Sequence, residues 1–375
     1  MDKIGIGEVI IVNNARMLIA LLFSSSLAWC QADRILNYYV VGSASCKGGP
    51  CWKMLAHVEV QSALLAVAKE PQTAAELVRL LGNSGTTVAD LEALRLVQRQ
   101  GDRYRISFSL LPAEDVLRSH AVAEPYARSL ADAVLSRRHE IESALTAYRV
   151  PGVDMKDVAF IVLGCFSLDW DGLTITKAKG YRTDKGATRP DGYYVPLASE
   201  RTDQPFQSFS FSSSDYQGDY GVVYFSDGGA PDRYLLSQWR DVKRATALGS
   251  MLLGLRDGKA PAADAEALLA HQLVRKTGDR YEVSLPVLSR LRQIGREVMV
   301  SWLTANYAKL QADLAGMAPM RAGVPYTEVF NQTWHDVFGR ANAMLVEAGL
   351  FADPYGATHT WHGYTPAVYV RSLTR

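Results

Sequence analysis

Leu96-Val97-Gln98-Arg99-Gln100-Gly101-Asp102-Arg103-Tyr104-Arg105-Ile106-Ser107 returns 177 residues later as Leu273-Val274-Arg275-Lys276-Thr277-Gly278-Asp279-Arg280-Tyr281-Glu282-Val283-Ser284. In each stretch a Gly-Asp pair, a turn-maker, is followed by a run that alternates polar and apolar residues, which predicts a hairpin. The correspondence spreads outward with small gaps. Tyr38, Val40, Val41, Gly48, Gly49 and Pro50 find Tyr220, Val222, Val223, Gly228, Gly229 and Pro231, and Gly152, Val153 and Val158 find Gly323, Val324 and Val329. Further on, Gly186-Ala187-Thr188, Gly192-Tyr193 and Pro196 find Gly356-Ala357-Thr358, Gly363-Tyr364 and Pro366. Two copies of a unit of roughly 150 residues, each of ordinary domain size, are expected. The expected division is a leader or apolar segment over 1–36, a first lobe over 37–198, a linker over 199–218 and a second lobe over 219–375.

Upstream of the first hairpin the helical signals are strong. His57 to Ala68 has apolar residues at helical spacing. Thr73 and Glu76, three apart, predict a reciprocal cap for a helix that Gly82 ends. A third helix, about Thr86 to Val97, would turn Val88, Leu91, Leu94 and Val97 inward. In the second copy the corresponding helices are expected over Asp232–Arg244, Thr246–Leu255 and Asp264–Arg275, with Lys276 to Val283 as the hairpin and without the Thr/Glu cap. A long helix should follow each hairpin, from Ala113 to Tyr148 with a break at Pro125 and from Val287 to Leu314. Each unit should end in an apolar helix and a hairpin: Asp154 to Leu168 with Tyr193 to Leu197, and Tyr326 to Leu345 with Ala367 to Val370. Val158 to Phe166 reads equally as a buried strand. Within the linker, Phe206, Phe209 and Phe211 alternate with polar residues as an edge strand would.

Thr73-Ala74-Ala75-Glu76-Leu77-Val78, then Leu91, Leu94, Leu96-Val97 and the Gly101 to Ser107 run resemble the winged helix-turn-helix superfamily, in the broad style of bacterial MarR-like and ArsR-like regulators. The same pattern is similar to the dimerisation module of small-molecule O-methyltransferases, although no Gly-x-Gly-x-Gly follows a strand here to supply the catalytic half. The resemblance implies an α+β, mostly α chain: tandem duplicated winged-helix lobes joined by long helices, two copies acting as a pseudo-dimer. It further implies double-stranded DNA as the partner and regulation of transcription as the role. A noncatalytic module for a protein or small-molecule ligand is the competing reading. No enzyme activity and no cofactor are expected.

Charge narrows this. Forty Lys plus Arg against 39 Asp plus Glu leave a formal charge of +1, so any basic surface is local. The candidate nucleic-acid contacts are Arg99, Arg103 and Arg105 in the first hairpin and Arg275, Lys276 and Arg280 in the second, where a wing meets phosphate. An ordinary solvated hairpin carries the same charges. The third helices offer Asp90, Glu92, Asp264 and Glu266 where base-reading helices present Arg, Asn, Gln or Lys.

Other clusters carry less. His335, His359 and His362 match no familiar metal spacing, and no metal site is expected. Asp169, Asp171 and Asp191 sit beside Gly172 and Gly192 and are assigned to turns. Ser212 to Ser214 lack the strand-turn-helix setting of a nucleophile elbow. Four cysteines are too few for a disulfide scaffold. Cys165 in its apolar run reads as a buried small hydrophobe, and Cys46 and Cys51 as a local disulfide or two idle thiols. Arg16, the apolar run Met17 to Phe23 and Cys30-Gln31-Ala32 are similar to a cleavable leader, whereas Asp2 and Glu8 are not. A cytoplasmic location is favoured, with export after cleavage near Ala32 as the alternative.

Overall fold

In the computed structural model the Thr73 hydroxyl accepts from the Glu76 backbone N–H while the Glu76 carboxylate accepts from the Thr73 N–H at 2.7 Å, and the helix Ala74–Leu81 runs from that cap to Gly82. The structure describes residues 35–44, 54–147, 149, 154–184, 186, 188–189, 192–203, 212–217, 220–226, 242–256, 258, 262–270, 273–284, 287–288, 290–353 and 364–370. They form a mostly helical α+β protein with small sheets. The leader at 17–32, the linker phenylalanines, Cys46, Cys51, Asp191, His359 and His362 lie outside these residues.

The described chain divides into two compact units, each assembled from three separated stretches. The first takes residues up to His120, Gly180–Phe206 and Gln311–Thr333. Its central strand, β7 (Gly192–Glu200), pairs antiparallel with β1 (Leu36–Ala44) and β6 (Thr188–Arg189) and parallel with β5 (Ser109–Leu111). A second small sheet has the order β2 (Gln72–Thr73), β4 (Arg103–Ile106), β3 (Val97–Gln100). The helix Val58–Lys69 buries Val60, Ala63, Leu64 and Val67 against Leu77, Leu91, Leu96 and Ile106. On the same buried face, the Gln61 side chain accepts from the backbone N–H groups of Ile35 and Leu36 at 3.0 and 2.9 Å and donates to Leu55 O at 2.8 Å. These bonds tie the start of β1 to the helix and satisfy a buried amide.

The third helix is shorter than expected, Val88–Ala93. Arg95 adopts φ +51°, the Arg95 N–H bonds Glu92 O, and the Leu96 N–H bonds Leu91 O at 2.9 Å. This left-handed closure ends the helix and releases Leu96 and Val97 toward the hairpin. Thr87 and Asp90 make a second reciprocal cap at its start.

Asp115 belongs to the same unit. It is buried and accepts from the Ala318 N–H at 2.5 Å. Burial raises its carboxyl above the usual value and the neighbouring Glu114 adds to the rise; the Ala318 N–H and the Arg321 and Arg118 guanidiniums oppose it. A pKa higher in the folded state means that the stability linked to Asp115 is present below the unfolded value and is lost as pH rises through the folded one. Urea unfolding from pH 4 to 8 should therefore show wild type losing ground to Asp115→Asn as pH rises. A gain over the variant with rising pH would contradict this environment.

In the second unit β13 (Tyr364–Val370) pairs antiparallel with β9 (Tyr220–Ser226) and parallel with β12 (Val287–Leu288), while β8 (Ser212–Gln217) extends the sheet beyond β9. β9, β13 and β12 thus repeat the order and directions of β1, β7 and β5. The second hairpin is β10 (Val274–Thr277) with β11 (Arg280–Val283). One helix, Val242–Arg256, stands where the end of one expected helix and the whole of the next were placed, followed by Ala262–Ala270.

The helical part of this unit departs from expectation in two places. Pro125 lies inside the unbroken helix Ala113–Leu135, and the break falls at Ser136–Arg137, where the Ser136 hydroxyl donates to Ala133 O. Val158 to Phe166 takes the helical of its two expected readings, but the helix continues through the Asp171-Gly172 pair to Ala178, with Phe160–Asp171 wound as π-helix. Asp169 and Asp171 are therefore buried helical residues and not turns. This helix, Met155–Ala178, is long and apolar enough to cross a membrane by composition, and 94% of the qualifying window is buried inside the protein, which accounts for its hydropathy. Its packing is close. A Cβ on Gly295, in the helix Arg290–Asp313, would stand 2.5 Å from Ser167, and one on Gly172 would stand 3.0 Å from the Trp334 ring.

Candidate nucleic-acid interface

Each hairpin is set by its glycine: Gly101 at φ +64° and Gly278 at φ +63° allow the tight reversal that the Gly-Asp pair predicts. The registers coincide, with Arg99 opposite Tyr104 and Lys276 opposite Tyr281. Both hairpins are anchored alike. The Ser107 N–H bonds Leu96 O at 3.1 Å, and the Ser284 N–H bonds Leu273 O at 3.1 Å. The N–H groups of Leu96 and Leu273 bond Leu91 O and Leu268 O at 2.9 and 3.0 Å.

The six candidate cations are placed differently. Arg99 is exposed and its Nε donates to Gly101 O at 3.0 Å, which stiffens the turn and leaves both terminal nitrogens without a hydrogen-bond partner among the described residues. Exposed Arg103 spends one terminal nitrogen on Pro71 O at 2.9 Å. Arg105 is half-buried against Gly323, with its Nε enclosed. Arg275 is held by Glu282 through Nη2 at 2.9 Å and Nε at 3.0 Å. Lys276 stands over the Tyr281 ring, 5.6 Å from its centre. Arg280 is exposed at the tip, with no side-chain partner among the described residues.

Near the first hairpin two carboxylates are taken up by helix caps. The Glu76 carboxyl is held below its ordinary value by the Thr73 backbone N–H first and the Thr73 hydroxyl second, with Arg103 and Arg79 adding charge. The Asp90 carboxyl is lowered by the Thr87 hydroxyl and then the Thr87 N–H. Even so, Asp90 and Glu92 are exposed on the third helix, as is Glu266 on its counterpart. A helix of six residues is about 9 Å long, too short to lie deep along a groove, and its outward charge has the sign of phosphate.

Sequence reasoning missed the most heavily buried ion cluster described. Asp171 accepts from Arg292 Nη2 and Nε at 2.8 and 2.9 Å and from Arg296 Nη1 at 2.7 Å, and the Arg292 guanidinium lies 4.7 Å from the centre of the Phe166 ring. The geometry is that of a packed ion pair that fixes one helix against another. His335 is buried and stacks obliquely on Phe338, and no group of three or more metal-ligating side chains comes together among the described residues. Cys165 is a buried cysteine, as its apolar setting suggested. Ser212–Ser214 lie in β8, a strand and not an elbow.

Compared with protein-family models, curated proteins and solved structures, the chain matches none.

Proposed function

We propose that this chain is an internally duplicated, noncatalytic winged-helix protein that binds double-stranded DNA through its two hairpins and regulates transcription, with both copies supplied by one polypeptide. The observation that carries the reading is the coincidence of sequence repeat and structural role. Residues 177 apart occupy the same register positions and make the same anchoring hydrogen bonds, and the two units hold sheets of the same order and directions. Cations at both tips are what a wing offers to phosphate. The acidic third helices argue against recognition of base edges and leave the DNA contact to the hairpins.

A second reading has a specific observation in its favour. Exposed Asp90, Glu92 and Glu266 repel phosphate, so winged helices that dock a protein or small molecule would also fit. Titration of a labelled duplex at increasing salt separates the two. Affinity should fall steeply with salt, and alanine at Arg99, Arg103 and Arg280 together should flatten the slope by about one per lost contact. Wild-type protein that shows no salt-dependent binding at low ionic strength would leave the interaction module standing. N-terminal sequencing adds an independent arm, because a mature protein beginning at Asp33 would be exported and would not meet chromosomal DNA.

A further inference from the structure

Placing the two hairpins on their common register leaves one cross-strand pair at which their charges differ. Gln98 faces Arg105 in the first; Arg275 faces Glu282 in the second. The other charged positions agree in sign: Arg99 with Lys276, Asp102 with Asp279, and Arg103 with Arg280. The first hairpin thus has three cations and one carboxylate, and the second has three cations and two. The additional carboxylate is not idle. Glu282 Oε2 receives both Arg275 contacts and the Thr277 hydroxyl at 3.4 Å.

We infer that Glu282 holds Arg275 out of phosphate contact and so lowers the share of DNA binding that the second hairpin carries. This rests on the DNA-binding reading. An exposed ion pair is weak in itself, but a phosphate approaching Arg275 must displace a carboxylate already bonded to Nε and Nη2, and it meets that negative charge at close range. At the first hairpin no carboxylate occupies either member of the equivalent pair. Glu282→Gln leaves one arginine opposite one glutamine, the composition that the first hairpin already has.

The test is duplex binding by the full chain, measured by fluorescence anisotropy between 50 and 300 mM salt, for wild type, Glu282→Gln, Arg275→Ala and the double variant. Because both positions are exposed strand residues, circular dichroism should match wild type in every case. Glu282→Gln is expected to bind roughly three- to tenfold tighter at the lowest salt with a slope steeper by about one, as one added phosphate contact would give. Arg275→Ala alone should leave the slope unchanged, and adding it to Glu282→Gln should return the slope to that of wild type. Wild-type binding with an unchanged Glu282→Gln slope, or a slope lowered by Arg275→Ala alone, would overturn the inference and leave the DNA reading intact. Failure of both wild type and Glu282→Gln to bind at 50 mM salt would overturn both.

Discussion

Replacing Asp171 with alanine should cost about 3–5 kcal/mol, because it removes the carboxylate that accepts two hydrogen bonds from a buried guanidinium. The Arg292 side chain is 6% exposed and that of Asp171 4%, and the two share two hydrogen bonds under 3 Å. Without the carboxylate, Arg292 keeps its contact with the Phe166 ring but loses this ion pair. Arg296→Ala should cost far less, about 1 kcal/mol or below, since that side chain is 28% exposed and water can take over its role. Replacing both buried partners with apolar residues, Asp171→Leu with Arg292→Met, should recover much of the loss, as the desolvation cost goes with the charges. Urea unfolding of the four proteins checks the order. An Asp171→Ala chain within about 0.5 kcal/mol of wild type would mean that Arg292 finds water or another anion once the carboxylate is gone.

What the sequence revealed here, and what it hid, follows the range of the interactions. The Thr73–Glu76 cap, the Gly82 stop and the two Gly-Asp reversals depend on residues within a few positions, and each was readable from spacing. Gly349, at φ +71°, likewise marks the end of the helix Tyr326–Glu347 by its residue type. The third helix was misjudged because its left-handed closure is made by Arg95, a residue type with no preference for that conformation. Pro125 misled in the opposite direction: packing of Ala123, Ala127, Leu130 and Ala131 holds the helix through the proline, and Ser136 then competes for a backbone carbonyl. Asp171 read as a turn residue because Asp-Gly is locally a turn signal. The partner that holds it inside a helix lies 121 residues away. The hairpin cations were legible as charges, but the Arg275–Glu282 bond needed one further step, the cross-strand register that the shared Gly-Asp turn already implies.

The same register gives the final prediction its form, because it names two equivalent leucines in unequal surroundings. Leu91 is fully buried within a core that includes Leu77, Leu81, Leu94, Leu96, Val97 and Ile106. Leu268 is also fully buried, packed with Leu248, Leu252, Leu273 and Val274 and edged by partly exposed Met251, Leu253 and Tyr281. Leucine-to-alanine changes at such sites cost about 2–5 kcal/mol, and the spread reflects how far the walls close on the space left behind. Neighbours that are themselves packed on all sides, as around Leu91, close least. Partly solvated neighbours such as Met251 shift at small cost, so Leu268→Ala belongs near the lower end of the range and Leu91→Ala near the upper. Equilibrium unfolding should show both losses in that order. A neutral result at either position would mean that the helix turns a different face inward, and a larger loss at Leu268 would mean that its cluster is packed as tightly as the first.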